Sequence, residues 1–315
     1  MRNRENFSAR LLSVMFVVLF LCVSVSEAKE AKEFWRLDSS ISNEMPRSFR
    51  LMTSEFSEEL EGEAPSREGL DTLRCSASAQ PSGTMLPELC RILRESAGKG
   101  APIYMVDLRQ ESHGFVNGII PVSWYAKRNW ANQGLDVEAV RQDETERLGE
   151  LVGEEETFVP KGKYDTAHLD PVTVDVETVE TEQEIMEKAG LLYFRVAATD
   201  QVGPADDNID AFVQFVRSLP KNAWLHFHCH AGHGRTTTFV VFYDIMNNPG
   251  VPLEEIVARQ YALGGTDLFA SAEGDGWKDE ARRKRADIVR AFYDYANETR
   301  ADGFRTPWSQ WKQGK

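Results

Sequence analysis

The segment that most constrains the fold of this chain is a cysteine–arginine loop between an apolar strand and an apolar helix. Residues 224–228 (WLHFH) predict a strand, and residues 236–246 are apolar on most sides, as in a buried helix. Cys229 and Arg235 follow the strand with five residues between them, two of which are glycines. A buried structural cysteine near a surface arginine does not account for two glycines in a strand-to-helix turn. The pattern therefore predicts an α/β fold with a functional loop at the end of a buried strand.

The residue types in this loop indicate a phosphate site with a thiol nucleophile. The N-terminus of a helix favours the thiolate of Cys229, which is the reactive form. Gly232 and Gly234 permit the dihedral angles with which successive backbone N–H groups surround an anion. Arg235 offers a planar fork to two phosphoryl oxygens, and Thr236 places a hydroxyl beside the thiolate. We therefore predict a cysteine phosphatase site.

A thiolate that attacks a phosphate ester also needs a general acid to protonate the departing alkoxide. Asp200 is the candidate, because it follows a predicted strand at 193–197 and belongs to a loop, 199–204, that precedes a helix. An ordinary turn aspartate is the alternative interpretation. We predict that Asp200 is the acid that complements the thiolate.

Four of the six histidines fall within the eight residues 226–233 and raise the question of a metal site. Histidine and cysteine are zinc ligands. However, His226 and His228 lie on one face of the strand, His230 and His233 lie in the turn, and no second ligand cluster is apparent in the sequence. We therefore expect neither a metal nor a cofactor. His226 is predicted to be a hydrogen-bonded core residue, and His228 to order the loop.

The charge balance argues against a general nucleic-acid binder. With 36 basic and 50 acidic residues the formal net charge is −14 at pH 7, whereas nucleic acids require an extended positive surface. A local basic stripe is nevertheless present, since Lys278, Arg282 and Arg285 recur at i, i+4 and i+7 of a predicted helix at 277–299. The stripe is either a solvated helix face or a contact for anions, and the acidic background favours anions.

The first 28 residues have the organisation of an export signal. Three arginines precede or flank an apolar run at 11–25, and residues 26–28 (SEA) fit a small-x-small cleavage site. A single membrane anchor is the alternative, but the run is short for a bilayer. We expect the mature chain, 29–315, to be periplasmic or secreted, without stable membrane association. In an oxidising compartment Cys75 and Cys90 could form a disulfide and leave Cys229 free.

Six stretches spread over the mature chain match the motifs of one enzyme family. They are 46–50 (PRSFR), 106–114 (VDLRQESHG), 121–125 (PVSWY), 193–200 (YFRVAATD), 224–237 (WLHFHCHAGHGRTT) and 300–311 (RADGFRTPWSQW). Together they resemble the protein tyrosine phosphatase-like (PTP-like) phytases, bacterial cysteine phosphatases that dephosphorylate myo-inositol hexakisphosphate. The resemblance implies a phosphatase-type α/β core with a small partial β-barrel of OB-like type, which we place roughly within 34–60 and 140–180.

The resemblance also implies roles for individual residues. Cys229 corresponds to the nucleophile, Arg235 to the phosphate-binding arginine and Asp200 to the general acid. An arginine of the PRSFR stretch is expected to contact a substrate phosphate, and we assign this role to Arg50. The other expected substrate contacts are Asp107, Gln201, His230, Ala231, Gly232, His233, Gly234, Lys278, Arg282 and Arg285.

These observations predict hydrolysis of inositol hexakisphosphate through a phosphocysteine intermediate, with small-molecule inositol phosphates as the binding partners. A protein tyrosine or dual-specificity phosphatase is one alternative, because it shares every catalytic group. A non-catalytic phosphoinositide-binding module is the other. Loss of the cysteine, arginine or aspartate would be its signature, and all three residues are present.

Overall fold

The computed structural model describes residues 33–57 and 62–315, which form eleven strands and nine α-helices numbered in chain order. The strands are β1 Phe34–Leu37, β2 Arg50–Leu51, β3 Cys75–Ser78, β4 Ile103–Asp107, β5 His113–Val116, β6 Ile120–Tyr125, β7 Glu155–Pro160, β8 Val172–Asp175, β9 Val179–Thr181, β10 Leu192–Arg195 and β11 Trp224–His228. The helices are α1 Leu86–Ala97, α2 Val137–Gly149, α3 Asp165–His168, α4 Glu182–Lys188, α5 Asp206–Ser218, α6 Gly234–Asn247, α7 Leu253–Ala262, α8 Trp277–Thr299 and α9 Trp308–Gln313. The predicted export signal lies outside the described residues. Within them, no helix has both the length and the apolar character that crossing a membrane requires.

The loop from Cys229 to Arg235, here called the catalytic loop, follows the central strand of a five-stranded sheet with the strand order β10-β4-β11-β3-β2. The first four strands in this order are parallel, and β2 is antiparallel to β3. The central strand β11 is buried over its whole length, as expected for a parallel strand covered on both faces. Its last residue, His228, is aligned with Asp107 of β4 and Ser78 of β3. The carboxyl ends of three strands therefore meet at one edge, where α/β folds bind ligands.

Helices cover both faces of this sheet. Leu225 and Phe227 pack into a core cluster with α5, α6, α7 and α8, whereas Trp224 packs into a second cluster with α1 and α4. This division follows from the alternation of side chains along a strand. Residues 235–246 of α6 are all buried, which is why that helix is apolar on most sides instead of amphipathic. The predicted α/β core is confirmed.

A second sheet of six strands, in the order β8-β7-β1-β6-β5-β9, forms the small β subdomain. A third core cluster, which includes Trp35, Val122 and Phe158, packs on it. The predicted bounds of this subdomain were wrong: β5 and β6 lie at 113–125, outside them, and β2, inside them, pairs in the other sheet. The sheet also has six strands where an OB-fold has five. Pairing between strands so far apart in the sequence is not visible in local periodicity.

The disulfide that Cys75 and Cys90 could form is absent from the structure, and both thiols are free and buried. Cys75 belongs to the cluster that contains α5–α8, whereas Cys90 of α1 belongs to the second cluster. The two sulfurs therefore lie on opposite sides of the five-stranded sheet. Burial raises the pKa of both thiols, which makes them unreactive.

Candidate active site

The catalytic loop begins at Cys229, directly after β11, and ends where α6 begins at Gly234. Because β11 is the central strand and α6 is buried along its length, both ends of the loop are fixed by the core. Cys229 is only 3% exposed. Thr236, in the first turn of α6, donates a hydrogen bond from Oγ1 to the Cys229 sulfur at 3.1 Å. This contact and the helix N-terminus place positive electrostatic potential at the sulfur.

The surroundings of the loop hold its carbonyl groups and so determine where its amides point. Three successive carbonyl oxygens accept hydrogen bonds from outside the loop: His230 from the backbone N–H of Gln80 at 3.2 Å, Ala231 from Ser48 Oγ at 3.4 Å, and Gly232 from Arg50 Nη1 at 3.1 Å. In a trans peptide the N–H points opposite to the C=O. The N–H groups that follow these carbonyls therefore face the interior of the loop, where they form an anion nest.

Gly232 is required by this geometry. Its φ is +72°, in the left-handed region, and a Cβ atom there would lie 2.6 Å from the backbone of Ser78 and Ala79. A backbone contact of this kind cannot relax by rotation of a side chain. The glycine therefore lets the loop turn tightly against the end of β3.

Arg235 is held by Glu111, which is not among the predicted site residues. The guanidinium donates from Nη1 to Glu111 Oε2 at 2.7 Å and from Nη2 to Oε1 at 2.9 Å. Nη1 also donates to the carbonyl of Ala198 at 3.2 Å. The Nε of Arg235 has no hydrogen-bond partner within the described part of the chain. The bidentate pair thus fixes the plane of the guanidinium and leaves the Nε donor for a bound oxyanion.

Glu111 is kept ionised by the cations around it. Burial would raise its pKa, but Arg235 and Arg109 hold that pKa well below its usual range. Arg109 donates from Nε to Glu111 at 3.0 Å and from Nη1 to Asp38 at 2.8 Å. Glu111 belongs to the VDLRQESHG stretch after β4. Its position shortly after the end of β4 is the signal in the sequence, because α/β folds carry ligand groups there.

Asp200 faces the same site from the loop after β10. Its Oδ1 lies 3.4 Å from Arg235 Nη2, and its side chain is 26% exposed. Asn129 donates from Nδ2 to Oδ2 at 3.1 Å, and Trp130 donates from its indole to the Asp200 carbonyl at 2.8 Å. The next residue, Gln201, adopts a φ of +65°, and its N–H donates to Oδ1 at 2.9 Å. The carboxyl group is therefore positioned beside the arginine and remains accessible.

Asn129 and Trp130 were not predicted as site residues. They lie in the segment after β6, and Trp130 packs edge-on against Trp277 of α8 with ring centroids 5.5 Å apart. Arg128 lies over the Trp277 ring at 4.3 Å. This contact between the β subdomain and α8 supports the loop of Asp200, residues 199–204, here called the acid loop. No local pattern in the sequence indicates it.

A cavity of about 520 Å³ adjoins the catalytic loop and is lined by residues of the six-stranded sheet and of loops from both sheets. Its charged and imidazole-bearing lining residues are Arg36, Arg47, Lys161, Asp165, Asp200, His230 and His233. Burial lowers the pKa of both histidines, so they are neutral at neutral pH. His233 Nε2 lies 3.1 Å from Ser48 Oγ. Gln201 and Ala231 also line the cavity, as expected for substrate contacts.

The assignment of Arg50 as a substrate contact does not fit the structure. Arg50 is 2% exposed, and its guanidinium donates to the carbonyls of Ser48 and Gly232 behind the loop. The other arginine of the PRSFR stretch, Arg47, lines the cavity instead. Ser48, between them, has a φ of +54°, which turns the chain so that the two side chains reach different places. Arg50 is therefore a positioning residue for the nest.

Asp107 is likewise not in contact with the cavity. It is fully buried, accepts a hydrogen bond from the Tyr193 hydroxyl at 2.7 Å, and lies 3.0 Å from Arg195 Nε. It also accepts a hydrogen bond from the Arg109 N–H at 2.9 Å. Asp107 therefore fixes the backbone that positions Glu111 beside Arg235. The expected substrate contact is replaced by a structural one.

The predicted basic stripe on α8 does not form one surface. Arg285 is 7% exposed and donates from Nη2 to the carbonyl of Val202, in the acid loop, at 3.2 Å. Its Nη1 lies 2.7 Å from the position that a Cβ on Gly234 would take. Arg285 thus packs between the acid loop and the start of α6, where a larger residue at position 234 would collide with it.

The other two residues of the stripe are exposed. Arg282 pairs with Asp279 at 3.3 Å and lines a separate cavity of about 350 Å³. The Lys278 ammonium lies 5.7 Å from the Trp277 ring centroid. In the described part of the chain neither side chain lines the main cavity.

One buried cluster in the described residues has the spacing of metal ligands, and it lies outside the loop. Atoms of Asp107, Glu182 and His228 fall within 4.8 Å of one another. However, Glu182 is 2.7 Å from His113 Nε2, and Asp107 already accepts hydrogen bonds. Burial and the charge of Asp107 raise the pKa of Glu182 well above its usual range. His226 hydrogen-bonds Ser76 and Ser78, which confirms its predicted place in the core.

A thiol at a helix N-terminus, an anion nest, a fixed arginine and a carboxyl group beside one cavity define the site of a cysteine-dependent phosphatase. Comparison with known proteins agrees. A model of the PTP-like phytases, described as "Inositol hexakisphosphate", matches residues 106–247. The structure of a PTP-like phytase from Bdellovibrio bacteriovorus is 34% identical, with a TM-score of 0.70, and the match covers 90% of this chain and 95% of that one. The chain belongs to the PTP-like phytase family.

Two further relatives are longer than this chain. The PTP-like myo-inositol phosphatase from Mitsuokella multacida, solved with myo-inositol-(1,3,4,5)-tetrakisphosphate, is 42% identical with a TM-score of 0.83. That match covers 90% of this chain and 50% of the other. The effector protein hopD2 from Pseudomonas syringae pv. tomato is 31% identical over 258 residues, which are 78% of this chain and 52% of that protein. The chain thus spans about half the length of these two relatives.

Proposed function

We propose that this protein hydrolyses phosphate monoesters of inositol phosphates, including the hexakisphosphate, through a phosphocysteine intermediate. The observation that carries the proposal is that the loop of Cys229 and Arg235 and the acid Asp200 adjoin one cavity whose walls bear further cations. The description of the matching family model and the inositol tetrakisphosphate bound to the Mitsuokella relative support this substrate class.

In the first step, the Cys229 thiolate attacks phosphorus in line with the departing ester oxygen. The inward-facing amides of the loop bind the equatorial oxygens, and Arg235 contributes its free Nε donor. Asp200 gives its proton to the inositol oxygen as the P–O bond breaks. An alkoxide is a poor leaving group, so this proton transfer contributes strongly to the rate.

In the second step, water hydrolyses the phosphocysteine. Asp200 is now ionised and takes a proton from the attacking water, which returns the acid to its starting state. The sulfur leaves as a thiolate stabilised by the Thr236 hydroxyl, which is 3.1 Å from it. Each catalytic group has therefore returned to its initial form when phosphate departs.

The cavity walls favour a substrate with several phosphates. Lys161 lies outside the catalytic loop, and its ammonium is 5.5 Å from the Tyr125 ring centroid. An aryl monophosphate would use only the nest, whereas a phosphorylated inositol ring can reach the walls as well. Each such charge-assisted contact contributes about 1–3 kcal/mol.

Phosphate release from inositol hexakisphosphate and from a phosphotyrosine peptide, each with and without EDTA, tests the proposal. We expect the higher kcat/KM on the inositol phosphate, and no loss with EDTA, because the thiol supplies the nucleophile. A preference for the peptide would instead identify a tyrosine phosphatase. Tight binding of inositol phosphates without turnover would identify a binding module.

We also propose that the protein acts after export, in the periplasm or outside the cell. Support comes from the basic, apolar and small-residue order of residues 1–28. We expect N-terminal sequencing of the protein recovered from the periplasm or medium to begin at Lys29. Recovery of the uncleaved chain from the cytoplasm alone would contradict export.

A further inference from the structure

One wall of the substrate cavity carries an acidic side chain. Asp165, the first residue of α3, lines the cavity, and its Oδ1 lies 2.8 Å from Arg47 Nη2. Its Oδ2 lies 3.8 Å from His230 Nε2, next to the nucleophile in sequence. The side chain of Asp165 is 5% exposed, and that of Arg47 is 24% exposed. The carboxylate therefore faces the site instead of bulk solvent.

Asp165 and its neighbour Tyr164 hold Arg47 between them. The Arg47 guanidinium lies 4.5 Å from the Tyr164 ring centroid, and the carboxylate pairs with its Nη2. The Arg47 backbone is fixed as well, because its carbonyl accepts a hydrogen bond from the Ala79 N–H at 2.8 Å. The cation nearest this wall is therefore already paired with a protein carboxylate.

A substrate group that reaches this wall meets an ion pair instead of a free cation. A second phosphate placed there would bring two negative charges beside the Asp165 carboxylate, and like charges in a partly desolvated site repel strongly. A hydroxyl group would instead donate a hydrogen bond to the carboxylate, and hydrogen bonds to ionised acceptors are strong. The wall thus discriminates between phosphate and hydroxyl on the ring.

We infer that Asp165 is a specificity-determining residue, which selects inositol phosphates that present a free hydroxyl to Arg47 and Asp165. The inference rests on the proposed function and deepens it. The enzyme should accept the hexakisphosphate poorly relative to at least one pentakisphosphate isomer. The favoured isomer is the one whose free hydroxyl reaches this wall while another phosphate occupies the nest.

The substitution Asp165→Asn removes the charge and keeps the shape of the side chain. kcat/KM is measured for the hexakisphosphate and for each pentakisphosphate isomer, and divided by the value for p-nitrophenyl phosphate, which fills only the nest. We expect the wild type to prefer one isomer over the hexakisphosphate about tenfold or more. In the variant, kcat/KM for the hexakisphosphate should rise about five- to fiftyfold relative to kcat/KM for that isomer, because Arg47 is free to bind a phosphate.

Asp170→Asn is the matched control, since Asp170 is exposed shortly after α3 and does not line the cavity. Asp170→Asn changes the net charge by the same amount as Asp165→Asn. A similar rise in the relative kcat/KM for the hexakisphosphate would therefore attribute the effect to the net charge of the protein and overturn the inference. An unchanged substrate ratio in Asp165→Asn would overturn it as well. If Asp165→Asn does not fold, Asp165→Ser replaces it. A wild type without preference among the isomers is sufficient to refute the inference.

Failure of the proposed function is distinct, because the wild type would then release phosphate from none of these inositol phosphates.

Discussion

Replacing Cys229 with serine is expected to abolish turnover while preserving binding of inositol hexakisphosphate. A serine hydroxyl in the nest has no useful alkoxide population near neutral pH, and the bond from Thr236 to the sulfur is lost with the thiolate. The nest amides and Arg235 remain, so the binding surface is intact. Residual kcat should fall below about 1% of wild type, because covalent catalysis is worth at least that factor. Steady-state phosphate release and calorimetric binding measure the two quantities.

Cys90→Ala is the control for this experiment. Cys90 is a buried thiol of α1 in the second core cluster, on the far side of the five-stranded sheet from the cluster that contains Cys229. Its removal should leave turnover in place while lowering stability. Activity above about 1% in Cys229→Ser, after contamination is excluded, would refute the phosphocysteine route.

Asp200→Asn is expected to lower kcat on inositol hexakisphosphate by roughly 10²–10⁴, the usual contribution of a general acid. Asparagine keeps the shape and the contact with Asn129 but cannot protonate the departing alkoxide. An aryl phosphate with a good leaving group should lose less in the phosphorylation step, because its oxygen leaves without a proton. Rapid-mixing measurement of phosphoenzyme formation with both substrates isolates that step.

Asp207→Asn is the matched control, because Asp207 is an exposed carboxylate a few residues later, in the first turn of α5. It should have little effect on either substrate. If Asp200→Asn slows phosphorylation equally for alkyl and aryl substrates, Asp200 does not act as the acid. In that case its proximity to Arg235 would serve only to orient the guanidinium.

The catalytic loop could be predicted because its signal is local. Strand, thiol, glycines, arginine and helix follow one another in a single stretch, and each residue type has a separate physical reason. Asp200 could be predicted for a similar reason, because it lies in the loop after β10, a strand of the same sheet. The contacts between these parts are not local. Glu111 is recognisable as the partner of Arg235 only when β4 and β11 are known to be neighbours.

The predictions for Arg50 and for the bounds of the β subdomain were wrong for one reason: both depend on backbone geometry that composition does not encode. Arg47 and Arg50 are three residues apart in one motif, and the positive φ of Ser48 sends one to the cavity and the other behind the nest. The β subdomain was placed too narrowly because β1 pairs with β6 and β7, which come from distant parts of the chain. The separation of Cys75 and Cys90 likewise depends on the assembled sheet, because the two residues belong to core clusters on its opposite faces.

The anchoring of the loop carbonyls also determines when during folding the enzyme acquires its active site. Ser48 and Arg50 are 183 and 182 residues away in sequence from the carbonyls that they hold. The anion site thus depends on contacts of very high sequence separation, which are slow to form. In a partly folded chain, β11 and α6 can already be packed together while Ser48 and Arg50 are still undocked. The N–H groups of the loop would then not be oriented towards the anion. We therefore expect catalytic activity to report the completed fold, and an incompletely folded chain to stay inactive until the segment with Ser48 and Arg50 docks on the loop.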